Sequence, residues 1–154
     1  MKKIGSYTVR GKINPKSSTV GKTEKVRLFD GRFDTGYVVT KFIIGINDPD
    51  NASNDTYGIL LTENLYDGVD KNWNWGDNRE IGWASMANVY GDAGPPGQPF
   101  ELVDRDNFII EDLYVYVRTG TSTLAVNYYI ELDKYDTTDA RGALAMVRNS
   151  SQSV

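Results

Sequence analysis

The chain of 154 residues contains no cysteine and no histidine. Without cysteine it cannot form disulfides, use a thiol nucleophile, or build zinc or iron–sulfur sites on thiolates. Without histidine it lacks the residue that most often acts as a general base and most often binds transition metals. Catalysis by a Ser-His-Asp or Cys-His set is therefore excluded, and we expect no cofactor.

Long apolar runs are missing as well. No segment approaches the roughly 18 consecutive apolar residues that a membrane-spanning helix needs. The first residues, Met1 to Ile4, include two lysines, but the apolar segment of a secretion signal does not follow them. We therefore expect that this chain has no membrane partner.

The charges are distributed unevenly, although the net charge is only −4. Residues 1–27 contain eight lysines and arginines and one glutamate, whereas residues 28–154 contain nine basic and twenty acidic residues. We predict that residues 1–25 form a flexible basic arm, which either stays solvated or contacts an acidic neighbour. We do not expect direct nucleic-acid binding, because the acidic body would repel phosphates.

Glycine and tyrosine are abundant, with 15 and 10 copies, and this composition is typical of strands and tight turns. The clearest pattern lies in residues 124–133, where apolar and other side chains alternate strictly. The apolar positions are Leu124, Val126, Tyr128, Ile130 and Leu132. A period of two predicts a strand with one buried face. Residues 114–118 show a second strand pattern, and we predict that the two strands form a hairpin across Gly120.

Other segments follow the same plan. Residues 33–46 and 57–62 are rich in β-branched and aromatic residues, whereas residues 88–99 contain three glycines and three prolines and must form a loop. Apolar residues recur at helical spacing over residues 140–147, which predicts a short C-terminal helix. We therefore predict one all-β domain over residues 26–154: an antiparallel sandwich, jelly-roll-like, with that helix at its end.

Aromatic side chains are the best candidates for a binding surface. Trp73 and Trp75 share one face if their segment is extended, and polar neighbours such as Asn74 and Asp77 could hydrogen-bond sugar hydroxyls. Alternatively, the two rings fill the core or a subunit interface, where aromatic residues are enriched. Tyr114, Tyr116 and Tyr129 lie opposite the apolar face of their strands, so they are either exposed or buried by a partner. The predicted interface residues are Trp73, Trp75, Tyr114, Tyr116 and Tyr129.

Acidic residues give no firm site. The loop of residues 48–55 carries several Asp and Asn oxygens that Ca²⁺ could use, but it lacks the spacing of an established calcium loop, so no metal ligand is assigned. Two carboxylate pairs, Asp30 with Asp34 and Glu111 with Asp112, are formal candidates for glycoside hydrolysis. Acidic residues beside glycine turns are common, so we assign no catalytic residue and expect that the chain is not an enzyme.

Two strings in the sequence are distinctive: LFDGRFDTGY at residues 28–37 and WNWGDNREIGWAS at residues 73–85. Together with the ending from residue 126 to residue 152, they resemble a group of small proteins encoded among the virion genes of marine phages. The resemblance covers most of the chain after residue 26 and leaves out the first 25 residues. It implies a capsid-associated or other virion structural role, and it carries no site residues over.

The sequence therefore predicts a non-enzymatic virion structural protein, such as a capsid building block, a decoration protein or a cement protein. It would act as a homo-oligomer and contact other shell proteins of the virion, which is assembled in the host cytoplasm. The alternative is a carbohydrate-binding module, or a glycan-binding virion protein, that uses Trp73 and Trp75.

Overall fold

The computed structural model describes residues 1–15, 20–47, 54–88, 97–120 and 125–138. These residues form eight strands. In chain order they are β1 (Lys2–Ile13), β2 (Lys22–Val26), β3 (Thr35–Ile46), β4 (Asn54–Leu61), β5 (Glu80–Asn88), β6 (Gly97–Val103), β7 (Leu113–Thr119) and β8 (Val126–Asp136). Within the described ranges there is no helix, and hence none that could cross a membrane.

The strands form two antiparallel sheets that pack face to face. The smaller sheet has the order β1-β8-β3, and the larger sheet has the order β2-β7-β4-β5-β6. Every strand pair is antiparallel. The predicted all-β antiparallel sandwich is confirmed, whereas the predicted C-terminal helix and most of the acidic loop at residues 48–55 lie outside the described residues.

The main core lies between the sheets and follows the alternation of the strands. In β8, Val126, Ile130 and Leu132 are buried, whereas Asn127 is exposed, as the period of two predicts. β3, in the same sheet, adds its own buried side chains, and the facing ones come mainly from β4 and β7 of the larger sheet. Together they include Val39, Phe42, Ile44, Leu60, Leu113, Val115 and Val117. This burial is the main favourable term that holds the sheets together.

The structure corrects the predicted flexible arm. Residues 2–13 form β1, which pairs with β8 along its whole length, from Lys2 opposite Asp136 to Ile13 opposite Val126. Ile13 is fully buried, and Lys3 Nζ lies 3.2 Å from an oxygen of Asp133 in β8. Lys2 and Lys3 therefore stand beside acidic residues of β8, and Val9 and Ile13 pack on the core. Residues 22–26 form β2 and pair with β7.

The predicted hairpin across Gly120 is also corrected. β7 lies in the larger sheet between β2 and β4, whereas β8 lies in the smaller sheet between β1 and β3. Both edges of each strand are therefore occupied, and the chain crosses from one sheet to the other between them. Gly120 itself donates its backbone N–H to the carbonyl oxygen of Asp55 at 2.9 Å. A turn residue between two strands thus marked a crossover and not a hairpin.

A short segment before β7 packs closely against β3. The backbones of Tyr37 and Ile109 exchange two hydrogen bonds, of 2.7 and 2.8 Å. Gly36 makes this approach possible, because a Cβ atom there would lie against the ring of Phe108 and 2.8 Å from the carbonyl oxygen of Ile109. Gly45, in the same strand, has no heavy atom within 4 Å of the equivalent position.

We expect Gly36→Ala to lower the free energy of unfolding by about 2 kcal/mol, because the backbone at Ile109 must move away from the new methyl group. Gly45→Ala, the matched control, should be neutral or stabilising by about 0.5 kcal/mol, since alanine loses less entropy than glycine in a strand. Urea unfolding followed by tryptophan fluorescence measures both. Equal stability of the two variants would contradict the close packing at Gly36.

The loop between β2 and β3 is held to β8 by Asp30. Its carboxylate accepts hydrogen bonds from Lys134 Nζ at 2.7 Å, from Thr35 Oγ1 at 2.8 Å and from the backbone N–H of Arg32 at 3.0 Å. The hydrogen bond from Lys134, more than any other favourable contact, lowers the pKa of Asp30 from 3.8 to about 2. A carboxyl group with a lowered pKa stabilises the fold only while it is ionised.

We expect Asp30→Asn to be less stable than the parent near neutral pH, because it loses the charged contact with Lys134. The difference in free energy of unfolding should narrow as pH falls from about 4 towards 2, where the parent's own Asp30 becomes protonated. Urea unfolding of both proteins across this range measures the difference. A difference that stays constant down to pH 2 would exclude Asp30 as a source of the acid sensitivity.

Candidate functional site

A second apolar cluster lies on the outer face of the larger sheet. Ile59 and Leu61 of β4, Trp83 of β5 and Tyr116 of β7 are all buried there. They are covered by residues 62–79, the connection between β4 and β5, which we name the covering loop. Leu65, Tyr66 and Trp73 of this loop pack on the cluster. The central strands of the larger sheet are therefore buried on both faces.

The covering loop is fixed to the sheet by a buried carboxylate. Glu80, the first residue of β5, is only 2% exposed. Its Oε1 accepts hydrogen bonds from the backbone N–H of Asn74 at 2.9 Å and from Trp83 Nε1 at 3.0 Å. Its Oε2 accepts one from the Tyr66 hydroxyl at 3.0 Å. A buried carboxylate is tolerated because its oxygens have these donors.

Tyr66 carries backbone strain at this point. Its φ of 67° lies in the left-handed region, and it is the only such residue other than glycine in the described part of the chain. Its ring packs edge-on against Tyr116 at 5.9 Å, and its hydroxyl also lies 3.2 Å from Asp77 Oδ2. Burial, with the hydrogen bond to Glu80, raises the pKa of Tyr66, so the hydroxyl keeps its proton and remains a donor.

Asp77 is the other carboxylate at the Tyr66 hydroxyl, and it is held by Arg79. Arg79 Nε and Nη2 donate to the two oxygens of Asp77 at 2.9 and 2.8 Å. This two-point hydrogen bond lowers the pKa of Asp77, which stays ionised. The sequence pattern does not mark Asp77 and Glu80 as a pair, because their common partner, Tyr66, lies more than ten residues earlier.

Tyr116 is corrected as an interface residue. It is fully buried by the covering loop of its own chain. Its hydroxyl donates to the carbonyl oxygen of Val69 at 2.6 Å and accepts from the backbone N–H of Lys71 at 3.0 Å. The sequence predicted that Tyr116 is either exposed or buried by a partner. The structure shows a third arrangement, in which the covering loop of the same chain buries it.

The other four predicted interface residues are separated by the fold. Trp73, Trp75 and Tyr114 lie on the outer face of the larger sheet, whereas Tyr129 lies on the outer face of the smaller sheet. Trp75 is 61% exposed, and Trp73, Tyr114 and Tyr129 are half-buried. The hydroxyl of Tyr129 donates to Glu131 Oε1 at 2.9 Å. The predicted set therefore does not form one surface.

Two residues that are not among the predicted interface residues extend the surface around Trp73 and Trp75. Phe100 and Leu102 of β6 are each 42% exposed. The ring of Trp73 stacks on Phe100 at 5.3 Å, and Leu102 lies opposite Trp83, whose ring Trp75 contacts edge-on at 5.9 Å. We name Trp73, Trp75, Phe100 and Leu102 the aromatic patch. Phe100 and Leu102 are two residues apart, and this spacing was the signal that could have found them.

Next to Trp73 lies a cavity of about 280 Å³ that opens to solvent. Tyr57 of β4, Arg118 of β7 and the covering-loop residues Lys71, Asn72 and Trp73 line it. The guanidinium of Arg118 lies 4.6 Å from the centre of the Tyr57 ring and donates from Nη2 to Asn72 Oδ1 at 2.9 Å. We name these five residues the Arg118 pocket.

Three of the four acidic residues considered from the sequence, Asp30, Asp34 and Asp112, are engaged in structural contacts. Asp30 is bound by Lys134 as described, and Asp34 accepts two hydrogen bonds of 2.8 Å from the Arg32 guanidinium. Asp112 accepts the backbone N–H groups of Leu28 and Phe29. Within the described ranges, acidic side chains form no group of three or more that could hold a metal ion.

Comparisons with known proteins give no family for this chain. No family model matches it, and no curated protein matches it. Among solved structures, a lectin from Bauhinia forficata in complex with GalNAc aligns at 10% identity over 86% of this chain and 100% of the lectin chain. The TM-score is 0.20, which is too low to show a common fold, so no property of the lectin is carried over.

We expect Glu80→Ala to lower the free energy of unfolding by about 3 kcal/mol, because it leaves the N–H groups of Asn74 and Trp83 buried without an acceptor. Glu80→Gln is the matched control and should cost about 1 kcal/mol. Its amide oxygen can keep both N–H groups, and its NH₂ can donate to Tyr66. Urea unfolding measures both, and a Glu80→Ala loss no larger than that of Glu80→Gln would contradict the role given to this carboxylate.

Proposed function

We propose that the chain is a non-enzymatic structural protein of a virion that acts by self-association and by contacts with neighbouring shell proteins. Capsid building block, decoration protein and cement protein are the forms this role can take. The observation that carries the proposal is the order of the strands in the two sheets, because it is close to that of a jelly roll, a fold used by viral capsid domains among others.

A jelly roll wraps eight strands so that the first, eighth, third and sixth form one sheet. The second, seventh, fourth and fifth form the other. Seven of the eight strands here follow this order, as β1-β8-β3 and β2-β7-β4-β5. Four of its strand pairs, β1–β8, β3–β8, β2–β7 and β4–β7, join segments far apart in the sequence, so the order is not a by-product of local hairpins.

The sixth strand departs from the jelly-roll order. β6 is hydrogen-bonded to β5 at the edge of the larger sheet and not to β3. It still lies near β3, because Arg105, just after β6, donates from Nη2 to the carbonyl oxygen of Thr40 at 3.1 Å. We therefore propose a variant of the jelly roll in which the sixth strand stays paired with the fifth at the edge of the larger sheet.

The aromatic patch supports self-association. It lies at the β6 edge of the larger sheet, where the strand has a neighbour on one side only. Trp75, Phe100 and Leu102 are all substantially exposed there. Exposure of large apolar side chains to water is unfavourable, so burial of this surface by a partner would stabilise it. Tryptophan and phenylalanine are enriched at the centres of protein interfaces, so a second chain is the partner that best fits this surface.

The alternative, a carbohydrate platform formed by Trp73 and Trp75, has less support. Such a platform needs open ring faces on both tryptophans for stacking against sugars. One face of the Trp73 ring is occupied by Phe100, and the ring of Trp75 is turned edge-on to Trp83. Only Trp75 remains substantially exposed. The pair therefore lacks the geometry that this function would require.

We expect the purified protein to have a defined solution mass that is a multiple of 17.2 kDa, measured by light scattering during size exclusion. The variants Trp75→Ser and Leu102→Ser should shift the mass towards the monomer, because each removes apolar surface from the aromatic patch. Phe33→Ser is the matched control, since Phe33 is 52% exposed and lies outside the patch. Its mass should equal that of the parent.

Two outcomes would contradict this proposal. A parent protein that stays monomeric at its highest soluble concentration, at low and at high salt, would exclude self-association as its main role. An oligomer that dissociates equally in Phe33→Ser and in Leu102→Ser would exclude the aromatic patch as the contact surface. Circular dichroism of each variant shows whether the sheets are intact, so that loss of assembly can be separated from loss of folding.

A further inference from the structure

We propose that the Arg118 pocket binds a sugar ring that carries a carboxylate. This inference goes beyond the structural role proposed above and does not depend on it. The pocket is built by two strands of the larger sheet, which supply Tyr57 and Arg118, and by the covering loop, which supplies Lys71, Asn72 and Trp73. All five lining residues therefore come from one chain, so the pocket does not need a partner subunit.

Two hydrogen-bond donors at this pocket have no acceptor in the described part of the chain. They are Trp73 Nε1 and Arg118 Nε, and both atoms are buried. A buried donor without an acceptor costs free energy, and most such groups in proteins are paired. Because both unpaired atoms are donors, a ligand that reaches them when the side chains of the pocket adjust must bring acceptor oxygens. An ionised carboxylate accepts hydrogen bonds and donates none, and its charge is opposite to that of Arg118.

The charges around the pocket favour an anion. Arg118 and Lys71 are cationic, and one carboxylate, that of Asp70, lies 2.9 Å from Arg118 Nη1. The side chain of Asp70 is 56% exposed, so water weakens its pairing with Arg118. The amine of Lys71 lies 5.0 Å from the centre of the Tyr66 ring. The pocket therefore keeps a positive charge that an anionic ligand can neutralise.

The walls and size of the pocket favour a ring. Trp73 and Tyr57 provide apolar surface, and the side chain of Asn72 is exposed beside them, where it can meet hydroxyl groups. The volume of about 280 Å³ is just below the roughly 300–1,000 Å³ of sites for drug-sized molecules. One sugar ring fits this volume, whereas an oligosaccharide would extend out of it.

The test titrates the full-length protein with glucuronic acid and with N-acetylneuraminic acid, and follows heat and tryptophan fluorescence. We expect binding with a Kd on the order of 1 mM, which is typical of so small a ligand. Glucose and acetate are the matched comparisons, because each keeps only one half of the proposed ligand. Both should bind at least about tenfold more weakly than the acidic sugars.

Two variants test the residues. Arg118→Gln should weaken binding of the acidic sugar at least about tenfold, whereas Arg10→Gln, which makes the same change of charge on the exposed β1, should not. Trp73→Phe keeps an aromatic ring and removes the unpaired N–H. It should weaken binding while leaving the melting temperature equal to or above that of the parent, which a purely structural role of Trp73 would not produce.

Several results would overturn the proposal. Glucose that binds as tightly as glucuronic acid would show that the carboxylate is not recognised, and acetate that binds as tightly would show that the ring is not. No signal at tenfold the expected Kd would show that there is no site. Binding that survives Arg118→Gln would place the sugar elsewhere. Each of these leaves the solution mass of the protein, and with it the proposed structural role, unaffected.

Discussion

The larger sheet has apolar side chains on both of its faces, and the rest of the molecule is arranged to keep both faces out of water. The smaller sheet covers one face, with Phe42 and Ile130 among the buried side chains. The covering loop covers the other, over Ile59 and Tyr116. A sheet of this kind loses stability if either cover opens, because the apolar surface that it buries supplies most of its free energy of folding.

This constraint explains why polar groups are buried under the covering loop. A loop with backbone N–H groups cannot lie on an apolar surface unless those groups find acceptors. Glu80 provides one for Asn74, and Tyr116 provides one for Lys71. Glu80 also accepts the indole N–H of Trp83 in the sheet beneath the loop. The strained backbone of Tyr66 belongs to the same arrangement, since it directs the hydroxyl towards Glu80 and Asp77. The aromatic patch and the Arg118 pocket lie at the edges of the covering loop, where its residues meet exposed side chains of the larger sheet.

The sequence predicted those features that depend on local pattern. The alternation in β8 identified a half-buried strand, and the abundance of strand and turn residues identified an all-β sandwich. Pairing between distant segments left no comparable signal. β1 pairs with a strand more than a hundred residues away, so its lysines suggested an arm and not an edge strand. Tyr116 looked like a surface residue because the loop that covers it comes from a segment some 45 residues earlier.

The position of β8 has a consequence for how the chain folds as it is synthesised. β8 is the middle strand of the smaller sheet, and among the described residues neither β1 nor β3 has another strand partner in that sheet. Both must wait until β8 has left the ribosome, although β1 is made more than a hundred residues earlier. During that interval their edges are open to any extended chain nearby, including another nascent copy. The pairing of β8 thus completes the smaller sheet, and contacts this distant in sequence form slowly.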